Sequence, residues 1–227
     1  MQTRRFVMLF ALAGLTACSA MASTANLPDP AYDAPKSATH STETAVLAGG
    51  CFWGMQAVFE HVRGVTGVWT GYTGGHAQNA HYEDVSVGNT GHAESIKLQF
   101  DPAVVSYGQL LKVYFAVAHD PTEIDRQGPD RGTQYRSEIF YTSPQQQQIA
   151  TSYIAQLDAA KVYDSRIVTM VQPLKAFYLA EPYHQNYARA HPHAAYIVIN
   201  DAPKVANLKQ LFPDLYQPEQ DFVEVKL

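Results

Sequence analysis

Two cysteines occur in the 227-residue chain, Cys18 and Cys51, and the second stands where a thiol could do chemistry. It lies in Gly49-Gly50-Cys51-Phe52-Trp53-Gly54. Thr44 to Ala48 reads as a short apolar strand, and residues 51, 55, 58, 59 and 62 are then apolar at the spacing of one helical face. The sulfur is therefore expected where a strand turns into a helix. Free N–H groups and the positive end of the helix dipole favour a thiolate at such a point. Trp53 falls on the side of the wheel opposite the Met55, Val58 and Val62 stripe. Either another segment covers it, or it walls a pocket beside the thiol, with the flanking glycines admitting close approach.

A nucleophilic sulfur needs a partner, and two long polar loops are where to seek it. Residues 74–93 contain Tyr82 and lead into Gly91-His92-Ala93-Glu94, and residues 119–136 contain Asp130-Arg131-Gly132-Thr133-Gln134-Tyr135-Arg136. Taken singly, Glu94 reads as a solvated strand end, and Tyr82 and Tyr135 as packed rings in a chain with 14 tyrosines. A cysteine hydrolase would pair Cys51 with a histidine such as His92 or His184 held by Asp or Asn, yet no hydrolase motif surrounds the cysteine. A thiol peroxidase would call for an activating arginine. Metal binding by His76, His81 and His92, or by Asp120, Glu123 and Asp125, lacks the ligand spacing of a tight site. A pure binding module would leave Cys51 and Glu94 without a purpose.

These groups must be positioned by a recognisable run of elements. Val65 to Tyr72 reads as a strand ended by Gly74-Gly75, Asp84 to Val87 as a short strand, and Ser95 to Phe100 as a half-buried strand by strict alternation. Ser106 reads as the N-cap of a helix with the stripe Tyr107, Leu110, Leu111, Tyr114 and Ala118, and Glu138 to Tyr141 reads as a strand. Strand, helix, strand, strand, helix, strand is the order of the split βαβ, ferredoxin-like motif. The expected class is thus α+β, a two-layer sandwich on that core with C-terminal extensions. The extensions are a helix opened by Ser143-Pro144 with Ile149, Tyr153, Leu157 and Ala160 inward, a strand at 167–174, a short helix at 182–190 and a helix at 203–212. Gln145 to Gln148 reads as a solvated helix face.

The N-terminus carries a different message. Arg4 and Arg5 precede an apolar run from Phe6 to Leu15, the layout of a secretory signal and too short to span a bilayer. Leu15-Thr16-Ala17-Cys18 resembles a bacterial lipoprotein signal, with Cys18 lipidated, while Ala20-Met21-Ala22 offers a competing cleavage site. Residues 1–18 are read as the signal, 19–42 as a flexible tether and 43–227 as one catalytic domain, exported to the periplasm and lipid-anchored through Cys18. Once Cys18 is lipidated or removed, Cys51 has no partner for an internal disulfide. A formal charge of −5 and no basic stripe argue against a nucleic-acid surface.

Gly-Cys-Phe-Trp-Gly is followed in order by Gly71-Tyr72-Thr73-Gly74-Gly75, Gly91-His92-Ala93-Glu94, His119-Asp120-Pro121-Thr122, Asp125-Arg126-Gln127-Gly128, Gly132-Thr133-Gln134-Tyr135-Arg136-Ser137 and Tyr183-His184-Gln185. This succession, over about residues 44 to 190, resembles the peptide methionine sulfoxide reductases of the MsrA type. The resemblance implies an oxidoreductase that reduces the S epimer of methionine sulfoxide, free or in oxidised proteins, to methionine. It casts Cys51 as nucleophile, Glu94 as an acid kept neutral by a water-poor site, Tyr82 and Tyr135 as hydrogen-bond donors to the sulfoxide oxygen, and Asp130 as an ordering group. Phe52 and Trp53 would form a slot for the substrate methyl, and a sulfenic acid on Cys51 would be the product on the enzyme. Many members carry a second cysteine near the C-terminus that attacks that sulfenic acid, but residues 191–227 here contain none. An external thiol reductant, such as a thioredoxin-like protein, is therefore expected to act on Cys51 directly. No bound cofactor or metal is implied, and a monomer is expected.

Overall fold

A computed structural model of the protein describes residues 27–218. The expected signal, Cys18 and the first part of the tether lie outside the described residues. The architecture is mixed α+β, with helices packed on a central, mostly antiparallel sheet. Its strands are β1 (Glu43–Gly49), β2 (Val65–Thr73) and β3 (Ala93–Phe100), then, after a small separate hairpin of β4 (Arg126–Gln127) and β5 (Asp130–Arg131), β6 (Ser137–Tyr141), β7 (Met170–Pro173) and β8 (Tyr178–Leu179). The sheet order is β7-β6-β1-β3-β2-β8, antiparallel throughout except where β7 runs parallel to β6. The helices are α1 (Phe52–Glu60), α2 (Tyr82–Val85), α3 (Tyr107–Val113), α4 (Pro144–Ala160), α5 (Tyr187–Ala190) and α6 (Ala202–Leu211).

Strand β1 is buried on both faces, and its alternation decides what each face does. Ala45 and Leu47 join Ile96, Leu98 and Ile139 in the main core beneath α1, α3 and α4, where Met55, Val58, Phe59, Leu111, Ile149 and Tyr153 meet them. Leu47 is paired with Ile96 on one side and Ile139 on the other and is fully buried, so truncation to alanine there costs about 2–5 kcal/mol. Val46 and Ala48 face the other way, into a small cluster with Ala93 and Phe140 that Leu174 and Phe177 cover.

Helix α3 begins with a complete capping box, Ser106 and Gln109 each satisfying the other's backbone N–H. Helix α4 starts on Ser143, which accepts from the Gln146 N–H, and stops at Lys161 in the left-handed region (φ 51°).

Several expectations are corrected. Residues 84–87 do not form a strand: the Tyr82 N–H is capped by Glu181 Oε1 at 2.9 Å, a long-range acceptor that starts α2 instead. Gln146 is buried rather than solvated, its Nε2 donating to the Thr44 carbonyl at 2.8 Å, while Ala160 lies exposed. The described part of the expected tether is docked over residues 27–36, not free. Leu27 sits in the core, Tyr153 donates to the Pro28 carbonyl at 2.8 Å, and Asp33 accepts from the Gly108 N–H at 2.9 Å and the Ser106 hydroxyl at 2.5 Å. A buried leucine and a set of long-range hydrogen bonds hold a segment whose average composition is that of a linker.

Candidate active site

Strand β1 runs out at Gly49, and Gly50 makes the turn with φ 91°, a conformation that favours glycine. Space demands it too, since a Cβ on Gly50 would lie 2.5 Å from Gln127 Cγ. Cys51 then occupies the N-cap position of α1 as a partly exposed free thiol. The Trp53 N–H pulls its thiol down, but burial, Glu94 and Asp201 outweigh it and hold the thiol well above its usual value of 9.0. The expected resting thiolate is thus corrected to a resting thiol. Desolvation beats the helix N-terminus here.

Glu94 is the second element of the site. It stands near the start of β3, opposite Tyr72 of β2, and is 2% exposed. Its Oε2 accepts the Phe52 N–H at 3.0 Å, which ties it to the residue after the nucleophile. Burial raises its carboxyl from 4.5 to about 8, with Asp130 adding to the rise and the Phe52 N–H opposing it. Glu94 is therefore neutral near pH 7. With Oε2 occupied by an N–H, the proton belongs on Oε1.

The two loops converge on this pair. Tyr82 begins α2 half-buried, its ring 4.4 Å from that of His184, and its phenol is pushed up by burial and then by Glu94 and Cys51. Glu181 holds it there: Oε1 takes the Tyr82 N–H and Oε2 the Tyr72 hydroxyl at 2.8 Å. Tyr135 follows β5, its phenol pushed far up by burial and then by Glu94, Asp130, Cys51 and Tyr82. The loops are pinned together by Gln134 Nε2 on the Ser86 carbonyl at 3.0 Å and by the Thr133 hydroxyl on the Gly88 carbonyl at 2.7 Å. Arg136 reaches across to the carbonyls of Gly91 at 3.0 Å and His92 at 3.2 Å, fixing the entry to β3. Asp130 accepts from the Tyr196 hydroxyl, and burial raises its carboxyl against the pull of Tyr196 and Lys204.

Phe52 and Trp53 separate in role. Phe52 is 1% exposed and turns its ring to Tyr72 and His184, at 5.8 and 5.1 Å, rather than to solvent. Trp53 is covered by the C-terminal segment: it stacks on Tyr187 at 3.8 Å with the planes 12° apart, meets Tyr196 edge-on, and donates its indole N–H to His184 Nδ1 at 3.2 Å. That bond puts the His184 proton on Nε2, and burial keeps the ring neutral. Tyr187, Tyr196, Glu181, Asp201 and Lys204 were not marked by sequence reasoning. Each lies far along the chain from Cys51 and carries no local signature.

The rival chemistries fit less well. His184 receives a proton from Trp53 instead of holding one on a carboxylate, and His92 spends both ring nitrogens on backbone, Nδ1 on the Gly75 N–H and Nε2 on the His76 carbonyl at 3.0 Å. Neither is a base oriented toward a cysteine. Arg136 is paired with Glu138 at 2.6 Å and is occupied by carbonyls, so it is not an activating arginine for the thiol.

The chain as a whole is similar to known proteins. The family model described as peptide methionine sulfoxide reductase matches residues 43–215. A peptide methionine sulfoxide reductase MsrA 2 of Mesorhizobium japonicum is 59% identical over 179 residues, covering 79% of this chain and 92% of its own. Among solved structures, methionine sulfoxide reductase A of Corynebacterium diphtheriae is similar with a TM-score of 0.59 at 34% identity, covering 74% of this chain and 86% of its own. Mxr1 from Saccharomyces cerevisiae in reduced form is similar with a TM-score of 0.62 at 29% identity, covering 71% and 94%. The protein belongs to the peptide methionine sulfoxide reductase family.

Proposed function

We propose that the protein reduces the S epimer of methionine sulfoxide, free or within oxidised proteins, to methionine, with Cys51 as nucleophile and Glu94 as proton donor. The observation that carries the reading is the buried, neutral Glu94 tied by the Phe52 N–H to the turn that presents the thiol. A sulfoxide oxygen leaves sulfur only when it is protonated, and a carboxylic acid titrating at about 8 still holds its proton at neutral pH. Protonated Glu94 also stops repelling the sulfur anion, so the same proton favours attack. The Cys51 thiolate attacks the sulfoxide sulfur, the oxygen is transferred to the cysteine, and methionine departs. One thiol and one sulfoxide become one sulfenic acid and one thioether, which balances atoms and electrons.

Tyr82 and Tyr135 donate hydrogen bonds to the oxygen, since their phenols are protonated throughout the working range. Asp130 orders that side of the site through Tyr196. The exposed part of Trp53, backed by Tyr187 and with Phe52 beneath, forms the wall for the substrate methyl. With Cys51 as the one cysteine among the described residues, an external thiol attacks the sulfenic acid and releases water, and a second thiol cleaves the mixed disulfide. A thioredoxin-like protein is the proposed reductant. Strand order β6-β1-β3-β2, with β3 antiparallel to both β1 and β2, supports reading the core as the ferredoxin-like split βαβ.

Resolved sulfoxide epimers supplied with dithiothreitol test the reaction. Turnover confined to the S epimer and abolished by Cys51→Ser is expected, whereas turnover of the R epimer alone, or by the serine variant, refutes it. Export and lipid attachment at Cys18 are supported by the Arg4-Arg5 start, the apolar run and the Leu15-Thr16-Ala17-Cys18 sequence. Mass spectrometry of the mature N-terminus should find a diacylglyceryl group on Cys18. An unmodified peptide across residues 17–19 overturns that part.

A further inference from the structure

Helix α6 and the turn before it pack on α1 and bring a buried ion pair to the helix that carries the nucleophile. Asp201 is 0% exposed, and its Oδ1 lies 3.3 Å from Lys204 Nζ one turn further on. The pair presses on Gly54, where a Cβ would fall inside contact distance of the Asp201 carboxylate and 2.9 Å from Lys204 Nζ. Gly54 is in the first turn of α1, three residues after Cys51. Lys204 is thus a cation held by a buried anchor over the end of the helix where the sulfur sits. A lone carboxylate buried beside a nucleophilic sulfur would oppose its ionisation, so an anchored cation there has an electrostatic consequence.

We propose that Lys204, held by Asp201, is the counter-cation of the Cys51 sulfur whenever that sulfur carries negative charge. Two moments qualify, and both rest on the reaction proposed above. One is the thiolate that attacks the sulfoxide. The other is the regeneration step, in which the second reductant thiolate attacks the reductant sulfur of the mixed disulfide. A new reductant disulfide forms, the bond to Cys51 breaks, and its electron pair leaves on the Cys51 sulfur. A C-terminal segment without a relay cysteine therefore still serves the nucleophile, by charge instead of by thiol.

Other charges and titratable groups act on the same sulfur. Glu94 from β3 and Asp201 before α6 raise the thiol, and Lys204 lowers it. Cys51 in turn is felt by Tyr82 from α2, Tyr135 after β5 and Tyr196 before α6, all protonated. Lys204 also acts on Asp130 and on His119, which is buried behind Gly49 and neutral. Because Asp201 and Lys204 oppose one another, Lys204 is isolated only once Asp201 is neutral.

The test is alkylation of Cys51 by iodoacetamide across pH 6 to 10 in the full chain, read on the Cys51 peptide by mass spectrometry so that Cys18 does not contribute. Asp201→Asn is compared with Asp201→Asn/Lys204→Met and Asp201→Asn/Lys204→Arg. Loss of the cation should displace the alkylation profile toward higher pH by about one unit and slow the reaction at pH 7 roughly threefold, because a thiolate of higher pKa is more nucleophilic and recovers part of the loss. Arginine should restore the Asp201→Asn profile. Coincident profiles for the methionine and lysine forms overturn the proposal. If Asp201→Asn does not fold, Lys204→Met and Lys204→Arg are compared over the same pH range, and coincident profiles there overturn it as well. Alkylation does not involve a sulfoxide, so failure of the reductase reading would show separately, in the epimer assay.

Discussion

Glu94→Gln separates a proton donor from a structural carboxyl. A carboxyl titrating at about 8 is about nine-tenths protonated at pH 7, whereas one titrating at 4.5 is protonated in only about one molecule in 300. Burial therefore supplies the acid form almost in full. The Cys51 thiol titrates higher still, so thiolate increases about tenfold per pH unit across neutrality. Below pH 8 the wild-type rate should climb at that slope. Above it, each gain in thiolate is offset by loss of protonated Glu94, and the profile should level. Glutamine keeps the acceptor for the Phe52 N–H but cannot give up a proton. The variant should be slower at pH 7 by about 10² to 10⁴ and should keep rising through pH 8. Single-turnover methionine formation by pre-reduced enzyme reads both effects without the reductant's own titration. A break near pH 8 that survives in Glu94→Gln, or a near-wild-type rate at pH 7, refutes the assignment.

Stability should move the opposite way in the same variant. The folded carboxyl titrates above its unfolded value, so the folded state holds the extra proton and loses stability as pH rises from 4.5 toward about 8. Glu94→Gln escapes that loss, with a ceiling of about 5 kcal/mol, and urea melts at pH 5 and pH 9 should show a gain only at the higher pH. Asp33→Ala removes the acceptor for Gly108 and Ser106 and should cost about 1–2 kcal/mol, with protease cleavage between residues 34 and 42 rising in parallel. Gly54→Ala drives a methyl into Asp201 and should cost about 1–3 kcal/mol in urea melts.

Where side-chain pattern determines structure, the chain was readable. The strands around Cys51, the alternation of Ile96, Leu98 and Phe100, and the Ser106 and Ser143 caps all lie within a few residues of what they specify. The failures share a cause. Asp84 to Val87 alternates like a strand, yet Glu181, about a hundred residues away, caps it into a helix. Residues 27–36 look like a linker because Leu27 and Asp33 are outvoted in any window average, although their partners lie on α3, α4 and the core. The thiol was expected as an anion from its place at a helix start. Nothing local announced that Glu94 and Asp201 would be folded against it. The nearness of Cys51 to Glu94 and to the loops of Tyr82 and Tyr135 followed from a resemblance. Periodicity could not have supplied it, because it depends on strand order and on the cross-loop bonds of Gln134, Thr133 and Arg136.

The stacking of Trp53 on Tyr187 also has a bearing on how the protein is made. Cys51 is synthesised well before the residues that cover and charge its surroundings, from His184 to Lys204. Closing that span is a long-range event, and such events come late in folding. A nascent chain can thus pair β1, β2, β3 and β6 while its thiol is still uncovered. The central strands can therefore pair before the reactive centre is enclosed, and oxidant met in between would find an ordinary cysteine.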